Sequence, residues 1–146
     1  MESGRRRQSL ASDNIVIREV RAWGPAVLWA VVLFLLSAWP DGPGREWLPW
    51  LPGKDKIAHV VLYSVFGGTL AHVRRYSSFP VSAVLVIAVG LVYGLTDEWH
   101  QSFVPGRDPS LWDWVADAVG VIVGYGIVTR WLRPSRDSTN RQIWNT

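Results

Sequence analysis

Residues 81–96 read VSAVLVIAVGLVYGLT, and this stretch decides the fold. A helix of a water-soluble bundle carries an apolar stripe opposed by a polar face. Residues 81–95 have no polar face in any helical projection, so the surroundings expected of them are lipid. Residues 22–39 (AWGPAVLWAVVLFLLSAW), 57–73 (IAHVVLYSVFGGTLAHV) and 112–132 (WDWVADAVGVIVGYGIVTRWL) are also predominantly apolar, and nearly every charge falls between the runs. Each is close to the roughly 20 residues, within a range of about 17 to 25, that cross a hydrocarbon core as a helix. The mean hydropathy of +0.11 averages over apolar spans and charged joins. The 146-residue chain is therefore expected to be all-α, a polytopic membrane helix bundle with four transmembrane helices. Its expected organisation is a flexible basic segment at 1–21, a four-helix transmembrane domain at 22–132 and a polar tail at 133–146. The first run starts too far into the chain, and is too long, for a cleaved signal peptide, so it reads as an uncleaved first helix. The absence of Cys excludes disulfides and thiolate metal ligands.

Lys and Arg near span ends are retained on the cytoplasmic side. Arg5, Arg6, Arg7, Arg18 and Arg21, then Arg74 and Arg75, then Arg130, Arg133, Arg136 and Arg141 all fall on one side of the expected bundle. Arg45, Lys54, Lys56 and Arg107 fall on the other. Both termini are thus expected in the cytoplasm. Eight of the twelve carboxylates lie on the opposite, outer side: Asp41, Glu46, Asp55, Asp97, Glu98, Asp108, Asp113 and Asp117. The sequence pI near 9.7 would ordinarily raise nucleic acid as a partner, but basic clusters that flank spans are explained by topology and anionic lipid, so no nucleic acid is expected. Trp39, Trp47, Trp50, Trp99, Trp112 and Trp114 fall at the outer boundary, the place of an interfacial aromatic belt.

Helical spacing brings the outer acids together. In the fourth run Asp113, Ala116, Asp117, Gly120 and Gly124 share an arc of about 100°. Small residues four apart let membrane helices approach closely, which turns the acids toward a neighbouring helix and not toward lipid. Gly90, Gly94, Asp97 and Gln101 share a face of the third run with Glu98 beside them, and Asp55, His59 and Phe66 share one of the second, with Tyr63 at its edge. Asp55 can serve as an N-cap, and Ser110-x-x-Asp113 reads as a capping box. Asp97 and Glu98 sit instead at a helix C-terminus, where the dipole disfavours negative charge, so a compensating partner is expected. Ionised together about 6 Å apart, Asp113 and Asp117 would repel by roughly 3 kcal/mol at an effective dielectric near 20, which calls for a protonated acid or a nearby cation. Arg107, after the Pro105-Gly106 turn, is the expected counter-charge; Lys56 and His59 are the other candidates. His100 is expected at the surface and His72 at the interface.

The order Asp55-Lys56-x-x-His59, Asp97-Glu98-x-x-Gln101-x-Phe103-x-Pro105-Gly106-Arg107, then Asp113 followed by Gly120 and Gly124, resembles the VanZ-like family of small bacterial membrane proteins. The resemblance covers about residues 55 to 130. It implies a multi-pass protein of the bacterial plasma membrane and cell envelope, and its named example is associated with teicoplanin resistance without an established reaction. Glu98, Gln101, Arg107 and Asp113 match the family's polar signature, and Lys56 and His59 its upstream element. Asp117 departs from the pattern, in which many members resemble one another in having Asn.

Two functions follow as expectations. The first is a binding protein whose outward pocket, built from Lys56, His59, Asp97, Glu98, Gln101, Arg107, Asp113 and Asp117, takes a lipid head group, a cell-envelope precursor or a glycopeptide-like ligand. The second is an outer-leaflet head-group hydrolase or transferase with Glu98 or Asp113 as acid/base, His59 as partner and Arg107 on a phosphate. A nucleophile is not evident, since Ser102 and Ser110 lie in no activating arrangement. No cofactor is expected. Metal assistance through His59, Glu98, Asp113 and Asp117 is chemically allowed, but no H-x-x-x-H or similar spacing exists, so no metal is assigned. Proton or ion transport fits poorly, because the acids gather on one side only.

Overall fold

The four apolar runs form four helices, α1 (Glu2–Ser37), α2 (Lys54–Tyr76), α3 (Ala83–Gln101) and α4 (Leu111–Trp131). This computed structural model describes residues 2–40 and 53–131, with side chains from residue 14 onward, and among the described residues there is no strand. The expectations for Asp41, Arg45, Glu46, Trp47 and Trp50, and for the tail from 132 on, lie outside those residues. Helix α1 begins at Glu2, so the backbone of the segment expected to be flexible up to residue 21 is helical. Residues 5–22 contain neither Gly nor Pro and hold no signal to stop a helix.

Among the described residues, three helical segments are long and apolar enough to cross a membrane: Asn14–Ser37, Ala83–Gln101 and Leu111–Trp131. No more than a third of any of them is buried inside the bundle, so most of their apolar surface points outward. Val84, Leu85, Val92, Ile122 and Ile127 are among the exposed side chains, an apolar girdle that suits lipid and not water. Helix α2 differs. At 23 residues it spans about 35 Å, but Lys54, Asp55, Lys56, His59, Arg74 and Arg75 make it too polar to qualify by composition.

Helix α2 packs against each of the other three helices, most extensively against α4, while Ile57, Val61 and Val65 keep an apolar face exposed and its Lys, Asp and Arg residues lie at its two ends. Its buried face, with Tyr63, Phe66, Leu70 and Val73, meets Ala26 and Leu33 of α1, Val86 of α3 and Val121 of α4. Glycines set the α2–α4 separation. A Cβ on Gly120 would stand 2.6 Å from the Val60 carbonyl oxygen, one on Gly124 would overlap the Ser64 carbonyl, and one on Gly67 would overlap the carbonyl of Val121. The neighbouring helix that the α4 glycines admit is therefore α2. Gly94 of α3 instead faces the Asp117 side chain, whose Cβ and Oδ2 a methyl group would approach to 3.2 Å.

At the end of the bundle remote from the acids, Glu19 clamps α1 to the α2–α3 turn. Its carboxylate accepts from Ser77 Oγ at 3.0 Å, the Ser78 amide at 2.5 Å and Trp23 Nε1 at 3.2 Å. Arg74 donates to the Tyr125 hydroxyl at 3.0 Å at the same end.

Candidate functional site

The opposite end is built by the C-termini of α1 and α3 and the N-termini of α2 and α4. The chain passes from α3 to α4 through residues 102–110, where Pro105 and Gly106 occupy the central positions of a turn closed by the Arg107 amide donating to the Val104 carbonyl at 3.2 Å. Gly106 has φ 77°, the left-handed value that a type II turn demands at its third residue. This turn aims Arg107 sideways at α1. Its Nη2 donates to the Leu36 carbonyl at 2.8 Å and its Nε to the Trp39 carbonyl at 3.2 Å. A guanidinium there satisfies carbonyls that the last turn of a helix leaves open. Arg107 is thus a cap on α1; the counter-charge role expected of it falls to α2.

Lys56 and His59 supply that charge. Lys56 Nζ lies 2.9 Å from Asp113 Oδ1 and 2.8 Å from Asp55 Oδ2, tying the α2 N-terminus to that of α4. His59 Nδ1 lies 2.8 Å from Asp117 Oδ1, one helical turn deeper. The two α4 acids therefore each meet their own basic partner, which removes the repulsion that two unpaired carboxylates at this spacing would suffer. Hydrogen bonding to Asp55 first, and to Asp113 second, holds the Lys56 ammonium above its ordinary pKa. The same Lys56 bond holds Asp55 below the usual carboxylate range.

The buried faces are those that glycine and acid spacing indicate. Helix α3 buries Gly90, Gly94, Asp97, Glu98 and Gln101, and α4 buries Asp113, Ala116, Asp117, Gly120 and Gly124. The caps differ from expectation. Helix α2 is preceded by Gly53 at φ 73° with no side-chain cap, and Asp55 lies inside the first turn, exposed and bonded to Lys56. At α4 the Ser110 hydroxyl accepts from the Trp112 amide at 3.2 Å, while the Ser110 amide donates to Glu98 Oε2 at 2.9 Å. In a capping box the reach-back to that amide would come from Asp113. Here Glu98 makes it from the neighbouring helix, and Asp113 is left to pair with Lys56. Glu98 is compensated by the positive end of α4, and Asp97 by Gln101 Nε2, which donates to its Oδ2 at 3.2 Å.

His100 is half-buried against Phe34 of α1, ring centroids 4.6 Å apart, and not at the surface. His72 lies near the other end against Tyr76. Trp39, Trp99 and Trp112 are exposed around the site, whereas Trp114 is partly buried and donates to the Leu91 carbonyl at 3.1 Å. Of the eight residues expected to line a pocket, seven gather where α2, α3 and α4 meet, and Arg107, in the α3–α4 connection, turns instead to the end of α1.

A family model described as VanZ/LLP1 matches residues 22–133. No curated protein and no solved structure matches the chain.

Proposed function

The chain belongs to the VanZ/LLP1 family, and from that membership we propose that it is a membrane protein of the bacterial cell envelope whose acid-rich cluster binds a polar head group carrying a cationic amine. In this reading all four helices cross the plasma membrane, with both termini cytoplasmic and the cluster opening outward. The bias of Arg toward the opposite end supports that orientation. One observation carries the ligand class. Of the buried carboxylates of Asp97, Glu98, Asp113 and Asp117, the last two pair with Lys56 and His59 respectively and the first two have no ion-pair partner among the described residues, while Arg107 is engaged by α1 carbonyls. Such a site favours an incoming cation over a bare phosphate. An amine-bearing glycopeptide would meet the same acids, which offers a physical route to the teicoplanin resistance that the family resemblance implies.

The test is native mass spectrometry of the full chain in detergent with phosphatidylethanolamine and phosphatidylglycerol in competition, alongside glycopeptide susceptibility of cells expressing it. Ethanolamine lipid should bind preferentially, and Glu98→Gln or Asp113→Asn should remove the preference at unchanged protein level. Equal binding of the two lipids, unaltered by either substitution, sinks the proposal.

Head-group hydrolysis or transfer is a second reading, favoured by the 2.8 Å His59–Asp117 pair, which has the form of a base oriented by a carboxylate. Release of a free head group from labelled lipid, abolished by His59→Gln, would decide for it; no release at high enzyme concentration would remove it.

A further inference from the structure

We propose that His59, Glu98 and Asp113 form a site for a divalent transition-metal ion of the zinc class, with Asp117 as the residue that orients the imidazole. The site deepens the head-group reading and rests on it for the premise that this end of the bundle receives a ligand. Each of the three residues offers one donor atom, and the three atoms lie within 4.8 Å of one another. Ligands on a tetrahedral ion at about 2.1 Å stand roughly 3.4 Å apart, so closing on an ion requires an inward movement of somewhat more than 1 Å, shared by rotations of three side chains. The donors come from α2, α3 and α4; Gly120 and Gly124 fix the α2–α4 approach at backbone level, and Gly94 of α3 packs against the Asp117 side chain.

Two buried carboxylate oxygens point independently to a missing partner. Glu98 is 7% exposed; its Oε2 accepts from the Ser110 amide, while its Oε1 is buried with no hydrogen-bond partner among the described residues. Asp117 is 1% exposed; its Oδ1 meets His59 Nδ1, and its Oδ2 is likewise buried and unpartnered. Buried acceptors are ordinarily satisfied, and a cation bound at Glu98, one of the three donor residues, would satisfy its carboxylate.

Asp117 then acquires a specific task. A carboxylate on Nδ1 holds the proton there and leaves the Nε2 lone pair for a metal, the arrangement that accompanies most metal-bound histidines. Lys56 Nζ bonds Asp113 Oδ1, and the second oxygen of that carboxylate remains for an ion. One imidazole and two carboxylates suit Zn²⁺ or Mn²⁺ better than Cu⁺, which prefers sulfur, or Ca²⁺, which takes six or more oxygens. Three protein ligands leave a fourth position for water or for a phosphate oxygen of an amine-bearing head group, since the ammonium itself cannot ligate a cation.

The full chain in detergent, stripped with chelator and equilibrated with Zn²⁺ alone, is analysed by elemental mass spectrometry and calorimetry. The expected result is one zinc per chain, bound with release of protons. His59→Ala should weaken binding at least 100-fold. Asp117→Asn should weaken it by about 10- to 100-fold while stoichiometry at saturation stays at one, a separation that a merely structural role would not produce. His72→Ala, near the opposite end, should bind as wild type does. Zinc well below one equivalent on the saturated wild-type chain overturns the proposal, and so does equal loss in His72→Ala and His59→Ala. The wild-type stoichiometry decides even if a variant fails to fold. No lipid is present, so absence of zinc leaves the amine-binding reading standing; loss of lipid preference with zinc retained would remove that reading alone.

Discussion

Replacing Gly124 by alanine should separate the two helices that carry the site, and Gly126 provides a matched control two residues away. A Cβ at Gly124 would fall inside van der Waals contact of the Ser64 carbonyl oxygen, carbonyl carbon and Cα, all backbone atoms that cannot rotate aside. An ordinary carbon–oxygen contact needs about 3.3 Å, so α2 and α4 must part by more than 1 Å along that line. Overpacking of this kind costs about 1–3 kcal/mol, against a gain of up to about 1 kcal/mol from alanine's better helix propensity. At Gly126 nothing lies within 4 Å of the added Cβ, so only the propensity gain remains. Thermal unfolding in detergent should place Gly124→Ala below wild type and Gly126→Ala level with it or above. The shift at Gly124 should also loosen the Lys56–Asp113 and His59–Asp117 pairs, which bridge the same two helices, and so weaken ligand binding. Equal stability of the two alanine variants would refute the idea that glycine-mediated backbone contact sets this separation.

Other outcomes follow from the site. Arg107→Ala should cost about 1–3 kcal/mol of stability, because the Leu36 and Trp39 carbonyls lose their donor, with head-group preference retained; loss of preference at full stability would return Arg107 to the pocket. Glu98→Ala should destabilise more than Glu98→Gln, since glutamine keeps an oxygen for the Ser110 amide; equal unfolding midpoints would contradict the capping role. For Lys56 the sign is that of a raised pKa, so its contribution is present below the unfolded value and is lost as pH rises through the higher folded one. Asp55 has the opposite sign, its contribution being lost only as pH falls through a lowered pKa. The stability difference between wild type and Lys56→Met should therefore be flat from about pH 5 to 9, and a steep change near neutrality would show that another group controls the pair.

Much of the site was legible because acid and glycine shared one helical period. Asp97 and Gln101 follow Gly90 and Gly94 on α3, Asp113 and Asp117 precede Gly120 and Gly124 on α4, and both faces are buried. What periodicity does not encode is which neighbour a face meets, so the α4 glycines turned out to admit α2. Arg107 was misplaced for a similar reason. Its charge suggested a carboxylate, but the turn at Pro105-Gly106 presents it to open carbonyls at the end of α1, groups that no residue type advertises. Glu98 hid its structural task because the amide it caps is twelve residues away on another helix. The second helix is the least legible element, since its polar ends keep it below the composition of a span although it packs against the other three helices.

A head-group site requires the acid cluster to face outward. The chain has no native Cys, so single cysteines can report directly. Asp108 is exposed beside the cluster, and Arg75 is exposed at the opposite end. In intact protoplasts a membrane-impermeant maleimide should label Asp108→Cys at once and Arg75→Cys only after permeabilisation. Labelling of Arg75→Cys in intact protoplasts, with Asp108→Cys protected until they are opened, would put the cluster in the cytoplasm and contradict an outward-facing head-group site.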